Sequence, residues 1–118
     1  MIPYQTSAIF YSPEFMKNKD AATRFMKAYV KACNYYYEAA IEKKDAKKLD
    51  EVVNIVAKYV KSPAADIKLG LPYIDKNGKL LASDIDTQIK WYTANKLISG
   101  KLEAKDVAIT SFQEAATK

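Results

Sequence analysis

The sequence predicts a mainly α-helical fold with one or two short strands, forming a single domain over residues 1–118. Three observations predict it. Apolar residues recur at steps of three and four through most of the chain, the spacing of amphipathic helices. All three glycines lie outside those periodic stretches, as do the four prolines apart from Pro13, which takes a first-turn position where proline is tolerated. A chain of this length with 49% hydrophobic residues is enough for one ordinary core.

The elements follow in order. Ser7 to Tyr11 is a short apolar run, read as a strand. Ser12-Pro13-Glu14 supplies a cap, a first-turn proline and a first-turn acid, so a short helix through Phe15 and Met16 should stop near Asn18. Asp20 is the expected cap of the next helix, whose stripe is Phe25, Tyr29, Ala32, Tyr36 and Ala40 and which runs to about Lys43. Asp45 caps a further helix with Leu49, Val52, Val53, Val56, Tyr59 and Val60 on one face, ending before Pro63. Pro63, Gly70, Pro72 and Asn77-Gly78 mark residues 63–82 as loop and turn, with room for a strand pair at Tyr73-Ile74 and Leu80-Leu81. A helix begins at Ser83 with Asp84 and Asp86 in its first turn, carries Ile85, Ile89 and Tyr92, and stops at Gly100. A last helix starts near Ser111, with Ser111 and Glu114 at capping-box spacing and Phe112, Ala115 and Ala116 as its apolar face.

Composition narrows the chemistry. The net charge of +5 comes from lysines interleaved with acids, Arg24 being the one arginine. Specific nucleic-acid readers depend on arginine forks, so a solvated surface and no nucleic-acid partner are expected. There is no histidine, which removes the commonest general base and metal ligand. Cys33 is the single cysteine, placed as a small packing residue, and ordinary zinc sites need more. Asp75-Lys76-Asn77-Gly78 faintly echoes a calcium loop but has Asp86 where the closing glutamate belongs, so turn chemistry explains it. With no phosphate loop either, the expectation is a non-enzyme without cofactor or metal. No run of residues is apolar enough to span a bilayer, and Met1 to Thr6 lacks the features of a signal peptide, so on its own sequence the chain is expected to stay in the cytoplasm. Of Tyr35-Tyr36-Tyr37, Tyr36 fits the core stripe, while Tyr35 and Tyr37 must flank it; those two and Trp91 are candidates for packing or for meeting a partner.

The order Ser12-x-x-Phe15, then Ala22-x-Arg24-Phe25-x-x-Ala28-Tyr29, resembles a segment of the substrate-binding proteins of nitrate, sulfonate, taurine and thiamine-precursor ABC transporters. Pro72, Asp75, Gly78, Gln88, Tyr92, Val107, Ser111-Phe112 and Ala115-Ala116 continue the resemblance, which covers nearly the whole chain. Ala32 and Ile109 depart from it, standing where relatives often have glycine and aspartate. The resemblance implies the C-terminal portion of a two-lobed, periplasmic-binding-protein-like α/β receptor. Such a receptor closes on a small-molecule solute, docks on an ABC permease and works outside the cytoplasm. Tyr4, Gln5 and Ser7 are then the cleft-facing candidates. It also implies that the Ser7–Tyr11 strand and the apolar helix faces lack their usual sheet, so self-association through them is expected, most simply as a two-fold dimer. The alternative is a stand-alone helical interaction module using Tyr35, Tyr37 or Trp91.

Overall fold

In the computed structural model, which describes residues 4–118, helices follow one another through loops, the longest being 70–81 and 95–103, and no strand forms among the described residues. The first helix, α1 (Pro13–Lys17), is capped by Ser12, whose Oγ accepts from the Phe15 N–H at 3.1 Å. The long helix α2 (Lys19–Tyr36) is capped by Asn18 and not by Asp20: the Asn18 side chain accepts from Ala21 N–H at 3.1 Å. Asp20 instead lies in the first turn and pairs with Arg24 at 3.0 Å. A six-residue π-helical turn, Tyr37–Glu42, continues α2 to the end expected for it. Its Ala39 and Ala40 are both buried, and their small size lets α3 (Ala46–Val60) pack against it. Asp45 caps α3 as expected, accepting from the Lys47 and Lys48 N–H groups.

Residues 63–82 hold a helix that their prolines and glycine conceal. Pro63 ends one element and opens another, because its carbonyl accepts from Asp66 and Ile67 and starts α4 (Ala64–Leu69), which packs on α3. The Asp75–Gly78 turn forms, with Gly78 donating to the Asp75 carbonyl at 2.9 Å. The strand pair flanking it does not. The Asp75 carboxylate takes the Lys79 N–H, and the Gln5 side chain takes the Leu81 N–H, so these amides are not free for a hairpin ladder.

Helix α5 (Ala82–Ala94) stops well before Gly100. Lys96, at φ 57°, supplies the left-handed residue, while Lys96 N–H bonds Thr93 O and Leu97 N–H bonds Tyr92 O, the Schellman pattern. Lys43 and Lys61 take the same left-handed position after the π turn and α3. Two short helices complete the chain. In α6 (Ala104–Val107) the Asp106 carboxylate accepts from Glu103 N–H at 2.9 Å. In α7 (Ser111–Ala116) Thr110, rather than Ser111, takes the N-cap position and donates to Glu114 at 2.7 Å.

Ser7–Tyr11 takes no regular secondary structure and is not a strand, because no other described segment pairs with it in a ladder. It is held at its end by Tyr11, whose hydroxyl donates to the Ala22 carbonyl at 2.8 Å and whose ring meets Phe15, Phe25 and Phe112 edge-on. Helix α7 packs on α2 beside this aromatic group.

The core is thin. Its buried apolar residues are Ala22, Val30, Cys33, Ala39, Ala40, Val52, Val53 and Ile89, and no large side chain is fully buried among the described residues. Of the expected α2 stripe only Ala40 is buried; Phe25 is 49% exposed and Ala32 is exposed, the buried line running instead through Ala22, Val30 and Cys33. Tyr59 and Val60, assigned to the α3 core face, are exposed as well. The radius of gyration is 16.7 Å, against roughly 13–14 Å for a compact domain of this length. The accessible surface is 9093 Å², about 40% more than the ~6,450 Å² that size scaling gives. No helix among the described residues is long and apolar enough to cross a membrane.

One part-buried contact sets a pH limit. Gly78, at φ 64°, lies so close to α2 that a Cβ there would come within 2.5 Å of the Tyr29 ring and 3.2 Å of Cys33 Sγ. Burial, then the hydrogen bond to Cys33, pushes the Tyr29 hydroxyl up to about 12; burial likewise raises the Cys33 thiol. Because the folded protein holds the Tyr29 proton more tightly than the unfolded chain, its contribution is complete below pH ~10 and is lost as pH rises toward 12. Stability measured by urea unfolding should therefore fall across that window, and Tyr29→Phe should flatten the fall. An equally steep fall in the variant would assign the effect to other groups.

Candidate functional site

Two features meet where the N-terminal segment crosses the rest of the chain: a polar knot around Gln5 and an apolar cleft beside residues 8–11. The knot begins with α5. Leu81 precedes its first turn and has no side-chain oxygen to cap it. Asp84, in that first turn, is favoured there by the helix dipole. Its Oδ2 accepts from the Gln5 backbone N–H and from Gln88 Nε2, both at 2.6 Å. Gln88 Nε2 also donates to the Gln5 carbonyl at 3.1 Å, and Leu81 N–H donates to Gln5 Oε1 at 2.8 Å. Gln5 Nε2 donates to the Ser7 carbonyl at 2.6 Å.

Gln5 thus commits its backbone N–H and carbonyl and its side-chain oxygen to α5 and the turn before it. Tyr4 is 68% exposed and Ser7 is exposed, its carbonyl already engaged. The three candidates lie together in the chain, and the one with hydrogen bonds to other elements uses them to fasten the segment. The partners Asp84 and Gln88 went unassigned from sequence. The sequence held no signal for these contacts, since Ser83 there reads as the start of the helix and a ready cap, whereas the helix begins at Ala82 behind Leu81.

The cleft lies between residues 8–11, Val107–Ile109 and Phe112, is lined also by Met16, Met26, Leu80 and Ile85, and has a volume of about 190 Å³. No charged side chain lines it. It offers no acid, base or nucleophile, and what it can receive is an apolar group. Phe10 stands at its rim and is 89% exposed.

The remaining candidates divide. Tyr35 donates to Glu51 at 2.6 Å beneath Lys48, Tyr36 bonds the Pro72 carbonyl, and Tyr37 meets Tyr73 edge-on, so all three pack within the chain. Trp91 touches Tyr92 but stays 57% exposed. Cys33 is buried with its thiol raised, the opposite of an activated nucleophile. Among the described residues no group of acids or cysteine could hold a metal ion.

Compared with family models, with curated proteins and with solved structures, the chain matches none.

Asp84→Ala removes both charged acceptor contacts of the knot. It should cost about 1–2 kcal/mol in urea unfolding, given ~1.5–3 kcal/mol for a hydrogen bond to a charged group and the partial exposure of this one. Amide exchange at Gln5 should speed up while exchange in α3 stays as it was. Unchanged exchange at Gln5 would show that the segment is held some other way.

Proposed function

We propose that this chain is a non-catalytic solute-binding component, the C-terminal part of a periplasmic-binding-protein-like receptor for a small organic or anionic nutrient, working with an ABC permease outside the cytoplasm. The observation that carries the reading is the shortage of burial. A surface about 40% above the size expectation, with Phe10, Tyr59, Leu69 and Tyr73 each at least 68% exposed, fits helices shaped to cover a larger body. The ordered resemblance of Ser12–Tyr29 and of residues 72–116 supplies the identity of that body. In this reading Gln5 fixes the segment that borders the solute cleft, and Tyr4 and Ser7 are its exposed neighbours on that segment. Most of the solute contacts belong to the rest of the receptor.

A stand-alone helical interaction module is the second reading, and Trp91 alone favours it, being the candidate on α5 that stays 57% exposed. The two readings part at the gene locus and at the bench. The receptor reading expects coding sequence for the rest of the receptor, with permease and ATPase genes, around this reading frame. It also expects no thermal shift of the isolated chain with nitrate, taurine, alkylsulfonates or aminopyrimidines, because ligand stabilisation requires the whole site. A locus without transport genes, or a partner protein lost on Trp91→Ala, would overturn it in favour of the module.

A further inference from the structure

We propose that the 118-residue chain pairs with a second copy of itself about a two-fold axis, Phe10 of each copy entering the other's apolar cleft. This pairing does not depend on the receptor reading. A two-fold interface needs one patch to be complementary to itself. Here knob and hole are neighbours: Phe10, 89% exposed, stands on the rim of the 190 Å³ cleft. A cavity of ~150 Å³ lined by apolar side chains takes up benzene, so a phenyl ring fits a space of this size.

Charge selects the same face. Each copy carries +5, and the cleft lining has no charged side chain, so two copies meet there with the least repulsion. The backbone adds directional bonds. Among the described residues no amide from Thr6 to Tyr11 donates a hydrogen bond, and a segment with free amides can pair as a strand edge. Two such segments related by the axis run antiparallel and can satisfy each other.

The area is sufficient. Phe10, 89% exposed, carries roughly 150–200 Å² of free aromatic surface on the scale of 150–250 Å² per ring. Ile9, Val107 and Ile109 are each about half exposed and bring the apolar patch to roughly 400 Å². That is about half of the ~800 Å² per partner of a standard interface, close to the apolar share such interfaces have.

Sedimentation equilibrium of the whole chain at micromolar concentration tests the pairing. The expected mass is twice the 13.3 kDa chain. Phe10→Ser should weaken dimerisation at least tenfold with an unchanged helical circular dichroism spectrum, since this side chain contributes little to its own fold. Leu69→Ser, at a residue equally exposed but outside the cleft, should leave the dimer intact. A monomeric wild type, open-ended larger species, a dimer that survives Phe10→Ser, or a dimer lost equally in Leu69→Ser would each overturn the proposal.

Discussion

The structure depends on how closely α2, with its π turn, approaches α3 and α7. Ala22, Cys33, Ala39 and Ala40 make that approach feasible, because small side chains let helix backbones come together. The same choice limits what is gained. At about 25 cal/mol per Å² of apolar surface removed from water, an alanine contributes little, and the larger side chains that would contribute more stay partly in solvent. Phe25, Ile55, Tyr59 and Val60 all lie on α2 or α3 and all remain 47% exposed or more. Helices that are amphipathic by pattern are thus only partly covered.

What the core lacks, local polar chemistry supplies in part. Ser12, Asn18 and Asp45 cap three helices with side-chain oxygens, each such cap being worth about 1 kcal/mol. Tyr11 and Gln5 then fasten the N-terminal segment at both ends, one through the Ala22 carbonyl and an aromatic cluster, the other through Asp84, Gln88 and Leu81. Between those two anchors the residues from Thr6 to Phe10 keep their amides and much of their apolar surface free. The candidate surface of this chain is therefore a by-product of its fastening: the ends are fixed, and the middle is presented. The ion pairs reach water on at least one side, Lys48–Glu38 being among the more covered, and contribute little to this order.

What could be read from the sequence was what local chemistry decides. Ser12 before Pro13 and Asp45 before α3 worked as caps because a cap bonds amides two or three residues away. Asn18 displaced Asp20 for an equally local reason: both types cap well, and only the chain direction after α1 chose between them. The Ser7–Tyr11 strand failed because strandhood belongs to a pair, and no segment among the described residues pairs with it. α4 escaped notice because Pro63 signals a start as readily as a stop. Gly100 drew the end of α5 too far, since Lys96 accepted the left-handed position that glycine usually fills. At the candidate site Gln5 was singled out, but its partners lie more than seventy residues away, where spacing carries no information.

Under-burial is the property that joins the thin core, the free segment and the open cleft, and the urea m-value of the monomer measures it most directly, because m scales with the surface exposed on unfolding. The unfolded chain exposes roughly 19,000 Å² by size scaling, and the folded one still exposes 9093 Å². At a dilution where sedimentation shows single chains, the m-value should lie about a fifth below that of compact domains of equal length. An m-value equal to theirs would mean that the chain buries a full core on its own, and it would contradict this description of the fold.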